Sequence, residues 1–313
     1  VARGSLLLFL NSDVVVHRGW LSPLRERIAG TPDVGAIAPR VLNLDGTLQE
    51  AGALLFANGY TQFHGFGDDP ERPQYRFSRQ LDYASAACLL VSRRAFFTVG
   101  GFDSIYSPAY YEDVDLCLAL RDRGYRVLYE PRSVVTHVRG ASSSPTLAVR
   151  LWQRNHPLFF GRWKERLASR PEYTPPDGSP RLKIAARDAP NAVRILLAVE
   201  EVNGAGELAG ALSRLHPDAL RTIVSARAAE TEAITRLADE GWEVSDVPSI
   251  AERLFHYDVV VFEGAGAREL FEKVIDEREP QAVRISAAET EDLGFALAGA
   301  GIPPGEVPDT SAA

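Results

Sequence analysis

The chain has 313 residues, 45% of them hydrophobic, enough to bury more than one core, so two domains are expected. A formal net charge of -8 argues against a nucleic-acid partner, and two cysteines, Cys88 and Cys117, are too few for a disulfide scaffold and too far apart for a zinc knuckle. No apolar run approaches the roughly 20 residues that cross a bilayer, so the chain reads as soluble and cytoplasmic, with peripheral association at the inner face of a membrane left open.

The first predicted strand covers Ser5 to Leu10 and ends in the polar turn Asn11-Ser12-Asp13. It starts almost at once, and the sequence holds no methionine, so the chain is read as a fragment of a longer polypeptide. A helix follows, with Ser22 as its cap, Pro23 in its first turn and Gly30 after its end. Val34 to Ala38 is a short strand, and the Gly-, Asp- and Pro-rich stretch from Leu42 to Arg79 is irregular with short hairpin strands. Tyr83 to Val91 is a strand of small and apolar residues, and Arg93 to Val99 is a helix stopped by Gly100 and Gly101. Asp113 to Arg123 is a second helix ended by Gly124. Tyr125 to Tyr129 and Ser133 to Val138 are extended, and Trp152 to Leu167 is helical.

Ser169 to Asn191 combines prolines, a glycine and mixed charge, which predicts a linker. Beyond it, strands Val193–Val199, Thr222–Ser225 and Val259–Phe262 alternate with helices Leu208–Leu215 and Glu230–Glu240, the pattern of a small parallel α/β domain. The domain expectation is therefore 1–168, a linker 169–191, and 192–313.

Three constellations could carry chemistry. Asn11, Ser12 and Asp13 sit at a strand end, where carboxylates can hold a hard cation; the same residues also make an ordinary turn. Glu112 and Asp113 open a helix, where a general base gains from the helix dipole, but so does a plain capping acid. His137 closes an extended stretch, where a neutral imidazole can complete a metal shell or simply be half-buried.

Their order and surroundings add more. Asp82-Tyr83-Ala84-Ser85-Ala86-Ala87-Cys88 is followed by Arg93-Arg94-Ala95-Phe96-Phe97 and by Val99-Gly100-Gly101-Phe102-Asp103. Then come Tyr110-Tyr111-Glu112-Asp113-Val114-Asp115 and Pro131 through His137. This series resembles the second half of family 2 glycosyltransferases of the GT-A fold, rhamnosyltransferase-like members in particular, and Asn11-Ser12-Asp13 fits that family's DxD position. The resemblance implies an incomplete GT-A mixed sheet and a metal-dependent, inverting transfer from a nucleotide-sugar donor to a glycan or lipid-linked acceptor in bacterial surface polysaccharide synthesis. It assigns Asp113 as the base, with Glu112 beside it binding the acceptor or orienting the base. Asp13 and His137, with Asn11 at the first motif position, are assigned to Mg2+ or Mn2+. Ser12, Ser85, Ala86 and Tyr111 are assigned to the donor and acceptor. Ala86 and Asn11 depart from the commonest residues at their positions.

The second half looks like the first part of a GT-B, Rossmann-like domain. Gly204, Gly206 and Gly210 are spaced one residue too long for a dinucleotide fingerprint and read as a helix-packing turn. The competing reading for the whole chain is a non-catalytic carbohydrate-binding module or pseudo-enzyme.

Overall fold

The computed structural model describes residues 2–31, 33–138, 144–174, 179–227, 229–253, 257–278, 281–287 and 292–302. It divides into two compact units, Val1–Pro190 and Asn191–Ala313.

The first unit begins with strands β1 (Leu6–Leu10) and β2 (Val14–Val16), helix α1 (Leu21–Ala29), and strand β3 (Val34–Leu42). Short strands β4 (Leu48–Glu50), β5 (Ala53–Leu55), β6 (Thr61–Phe63) and β7 (Arg79–Gln80) follow. Strand β8 (Cys88–Ser92), helices α2 (Arg93–Thr98) and α3 (Glu112–Asp122), strand β9 (Arg126–His137), and helices α4 (Pro145–Leu167) and α5 (Pro180–Asp188) complete it. The main sheet runs β1-β8-β3-β9-β2, with β4 on β3 and β7 on β9. It is a mixed sheet: β3 and β9 are parallel, while β1–β8, β3–β8 and β2–β9 are antiparallel. This is the architecture that the family resemblance implied.

β3 is buried along most of its length, as a strand covered on both faces must be. β9 is one strand where two were predicted. It continues through Pro131 because the register jumps there: Pro39 pairs with Glu130, but Arg40 pairs with Val134. The three residues left over form a bulge. Fully buried Glu130 anchors it by ion pairs to Arg27 at 3.0 Å and Arg132 at 2.8 Å, and the Ser133 hydroxyl donates to the Trp20 carbonyl at 2.7 Å.

Three sequence expectations need correction. Ser22 does not cap α1, which starts at Leu21 after Trp20 with no side-chain cap. α4 starts seven residues before Trp152, where the Ser144 hydroxyl accepts the Leu147 N–H and Pro145 takes the first helical position. The stretch expected to be a linker is built into the first unit, apart from 175–178, which lie outside the described residues. Ser179 caps α5 with Pro180 behind it, the start signal that proline supplies when its missing N–H costs nothing. Ala186 and Leu182 on α5, together with Tyr173, pack against Leu54, Phe56 and Tyr60. Arg170 donates to the buried Asp82 carboxylate with both Nε, at 2.8 Å, and Nη2, and Arg121 Nε lies 3.8 Å from the same group.

The second unit consists of β10 (Arg194–Val199), α6 (Gly206–Leu215), β11 (Leu220–Ser225), α7 (Thr231–Asp239), β12 (Trp242–Asp246), α8 (Val247–Arg253), β13 (Val259–Phe262), α9 (Ala265–Arg278), β14 (Val283–Ser286) and α10 (Leu293–Gly299). Its five strands are all parallel in the order β12-β11-β10-β13-β14, the doubly wound arrangement. β10 and β13 are buried throughout or nearly so, and one apolar layer covers each sheet face. Ala205 is buried within the Gly204–Gly206 turn, and Val202 is buried just before it.

The buried Arg170–Asp82 pair distinguishes a packed segment from a linker. Arg170→Ala should cost the first unit about 3 kcal/mol, the low end for breaking a buried pair because Arg121 stays near Asp82. Urea unfolding of the purified chain measures it; a linker residue would leave the curve where it was.

Candidate active site

α3 carries Glu112, Asp113 and Asp115 in its first turn, where the helix dipole favours negative charge. Asp113 does more than cap. Its Oδ1 accepts the Val114 N–H at 2.9 Å, while its Oδ2 accepts the N–H of Ala86, on the approach to β8, at 3.1 Å. Burial raises its carboxyl, and these two amides pull the other way. Glu112 lines a pocket of about 440 Å³ together with Asn11, Ala86, Asp103 and Tyr106. Its Oε2 is buried with no hydrogen-bond partner among the described residues. Burial, with the Asp113 charge added, pushes this carboxyl up to about 7.

The backbone before this pair is strained. Tyr110 and Tyr111 both have φ of 74°, in the left-handed region that side chains other than glycine's rarely adopt. Each such residue costs about 1–3 kcal/mol and persists only where its surroundings enforce it. Fully buried Asn155 on α4 supplies the enforcement: its amide donates to the carbonyls of Tyr106, Ala109 and Tyr110 at 3.0, 2.8 and 2.8 Å. Tyr111 stacks on Phe159 at 4.8 Å and donates its hydroxyl to the Gly59 carbonyl at 3.0 Å. It is 3% exposed, and these contacts make it a support of the loop. Asp115 is likewise internal, accepting from Tyr106 Oη at 3.0 Å and Trp163 Nε1 at 2.7 Å.

At the other side of the site, β2 pairs Val14 with His137, which brings the turn after β1 to the end of β9. His137 Nε2 lies 3.3 Å from Asp13 Oδ1. Asn11 and Ser12 are exposed on the turn, and the Asn11 N–H donates to the Ala87 carbonyl at 2.9 Å, tying it to the segment that holds Asp113. His137 Nδ1 lies 2.8 Å from Gln49 Oε1. The Gln49 amide nitrogen already donates to Asn43 Oδ1 and the His137 carbonyl, both at 3.0 Å. Its oxygen is therefore an acceptor, and the imidazole must carry its proton on Nδ1. In the neutral ring, Nε2 then aims a lone pair at the Asp13 carboxylate. Two electron-rich atoms facing each other fit a cation between them, and an imidazole oriented by its second nitrogen is how such ligands are held. Among the described residues no third His, Cys, Asp or Glu joins them. A Mg2+ or Mn2+ ion bound here would complete its shell with water and phosphate oxygens.

The structure sets Asp13 beside His137, the proximity expected from the sequence, and Asp113 against Ala86, a contact the sequence did not suggest, while Gln49, Glu50 and Asn155 were not singled out. Glu50 is 3% exposed and accepts the Ser85 N–H at 3.2 Å. The signal for Gln49 and Glu50 was a polar pair between Leu48 and Ala51 within a stretch read as irregular.

No protein-family model matches the chain. Among curated proteins, it is 34% identical over 148 residues to the O-antigen biosynthesis protein RfbC of Myxococcus xanthus, covering 45% of this chain and 11% of that protein. It is 35% identical over 132 residues to the pre-mycofactocin glycosyltransferase of Mycobacterium tuberculosis, covering 41% of this chain and 26% of the other. A third relative, the N-acetylglucosaminyl-diphospho-decaprenol L-rhamnosyltransferase of the same species, is 30% identical over 148 residues, 44% of this chain and 48% of its own. The chain is thus similar over part of its length to bacterial proteins named as glycosyltransferases. It spans less than half the length of each of these three relatives. Among the described residues no helix is long and apolar enough to cross a membrane.

The raised Glu112 carboxyl gives this glycosyltransferase relative a pH signature. A carboxyl lifted from its ordinary 4.5 to about 7 keeps a proton in the folded state that the unfolded chain has released. Stability is therefore lost as pH climbs through that window and is level above it. Glu112→Gln removes the contribution, so the drop in unfolding free energy between pH 5 and pH 8, read from urea curves, should be smaller in the variant than in the parent.

Proposed function

We propose that the first unit transfers a sugar, with inversion, from a nucleoside diphosphate donor to a hydroxyl of a glycan or lipid-linked acceptor, in the assembly of a bacterial surface polysaccharide. The observation that carries this reading is Glu112 in the lining of a pocket that also takes in Asn11 and Ala86, its Oε2 without a hydrogen-bond partner among the described residues, beside Asp113, which holds the Ala86 amide. The names of the relatives point the same way.

In this reading Asp113 is the base. Each of its oxygens accepts one amide and keeps a lone pair, so it can take the acceptor hydroxyl proton without losing its hold on Ala86 and Val114. The deprotonated oxygen attacks the anomeric carbon, the bond from that carbon to the diphosphate oxygen breaks, and the nucleoside diphosphate leaves. A single displacement of this kind inverts the centre. Glu112 receives the acceptor through its unpartnered oxygen. Ala86, half-buried and without a long side chain, leaves room for the sugar. Asp13 and His137 would hold Mg2+ or Mn2+, which supplies positive charge opposite the leaving phosphates. Gln49 keeps the His137 ring in the tautomer this requires.

The experiment is release of nucleoside diphosphate by the full chain from UDP-glucose, UDP-N-acetylglucosamine, GDP-mannose and dTDP-rhamnose, with and without a diphospho-polyprenyl glycan acceptor. Acceptor-dependent release is expected from at least one donor, and Asp113→Asn should lower it by about two to four orders of magnitude with donor binding unchanged. Near-parental transfer by Asp113→Asn would remove it as the base. A loss confined to Glu112→Gln would exchange the two roles. Donor or glycan binding with no release would favour a binding module.

Metal dependence has its own expected outcome. Chelation should abolish release, Mn2+ or Mg2+ should restore it, and Asp13→Ala should weaken that restoration. Full activity in a chelator would overturn the metal role.

A further inference from the structure

Two consecutive backbone amides in the site are held by two different carboxylates. Ser85 N–H donates to Glu50 Oε1 at 3.2 Å and Ala86 N–H donates to Asp113 Oδ2 at 3.1 Å. The Ser85–Ala86 segment is thus a short strap fixed between β4 and α3, and Asp113 takes its position from it. Glu50 sits next to Gln49, which holds His137, so one three-residue strand braces both halves of the site.

The two carboxylates are unequally prepared for charge. Asp113 accepts two amides and lies in the first turn of a helix. Glu50 accepts one hydrogen bond among the described residues, lies in a strand and is 3% exposed. Burial, with the Asp113 charge added, pushes the Glu50 carboxyl up to about 7. The other groups that feel Glu50 are Tyr83, Cys88, Cys117 and Tyr129, all raised by burial and neutral at physiological pH. Glu112 and Tyr111 also face Asp113. Two cations act on Tyr129 alongside Glu50: Arg40, paired with Glu71, and Arg79, which donates to the Ala51 carbonyl. Two buried carboxyls, one of which feels the other's charge, do not both ionise readily, and the one with more amides takes the charge first.

We propose that Glu50 is a positioning residue for Asp113 and works as a carboxylic acid that gives up its proton only after Asp113: it holds the strap that presents Ala86 to the base, and the first negative charge of the pair rests on Asp113. The proposal builds on the reading of Asp113 as the base. Glu50 touches no reacting atom; it sets where the base stands and how much charge the base carries.

The test uses the full chain without a ligand: a carboxyl 13C NMR titration of the parent, Glu50→Gln and Asp113→Asn. Glu50→Gln identifies the Glu50 resonance by its disappearance. In the parent that resonance should titrate near neutrality, and in Asp113→Asn its midpoint should fall by about one pH unit or more, because the neighbouring negative charge is gone. A Glu50 midpoint in the ordinary carboxylate range, or one indifferent to Asp113→Asn, overturns the proposal. A scaffolding side chain with no electrostatic tie to Asp113 would show that indifference. In the donor-consuming assay, Glu50→Gln mimics the neutral acid and should keep kcat within about threefold, while Glu50→Ala releases the strap and should lower kcat by about tenfold to a hundredfold at unchanged donor KM. Should Glu50→Ala fail to fold, the titration and Glu50→Gln still decide. Loss of activity in Glu50→Gln as deep as in Asp113→Asn overturns the proposal. Parental transfer by Asp113→Asn would sink the base reading whatever Glu50 does, whereas a Glu50 midpoint that ignores Asp113→Asn sinks only the present proposal.

Discussion

The first unit depends on the parallel pairing of β3 with β9. From Val34 opposite Arg126 to Leu42 opposite Thr136, this ladder runs through the middle of the sheet and sets the height at which each strand ends. His137 follows the last pair directly, so the ladder delivers it to Asp13 by way of the Val14 pairing. The bulge at Pro131 to Ser133 is part of the same adjustment. Without those extra residues the register beyond Pro39 would differ by three, and with it the side chain that reaches Asp13. The ion pairs of Glu130 therefore act at a distance on the site, by fixing a count of residues and not by touching a ligand.

What the sequence disclosed depended on length and regularity. The apolar run Val259–Phe262 announces a strand because burial on both faces demands it, Leu6–Leu10 announces one although Leu8 and Leu10 are exposed, and acids at the start of α3 announce a helix end. The order of the motifs then placed Asp13, Asp113 and His137, and the structure sets Asp13 against His137 and Asp113 against Ala86. β4 was illegible because three residues carry no period, and a buried glutamate among glycines and aspartates looks like any loop acid. Proline misled twice for one reason. Pro145 and Pro180 each follow a capping serine and begin a helix, yet composition alone counts a proline as a break. Arg170 could not be read either, since only the fold brings it to Asp82 across 88 positions of chain.

The two units reach order differently. The second repeats one local move, strand to helix to parallel strand, and its alternation is visible in sequence even where β12 and β14 were passed over. The first joins strands distant in the chain, such as β1 to β8 and β2 to β9, so its site is assembled from side chains that composition cannot associate. Two of its buried polar residues arrive paired, Gln49 with His137 and Glu50 with Ser85, and the interior tolerates them for that reason.

The left-handed pair Tyr110 and Tyr111 has a consequence for how such a protein responds to selection. Glycine at either position would relax the backbone, but at buried Tyr111 the cavity it leaves would cost more than the strain it returns. The same exchange would surrender the Tyr111 stack on Phe159 and its bond to Gly59, and loosen the segment that aims Glu112 and Asp113. At Tyr111, melting temperature and turnover therefore pull the same way, and a library ranked on the first would keep the geometry that serves the second.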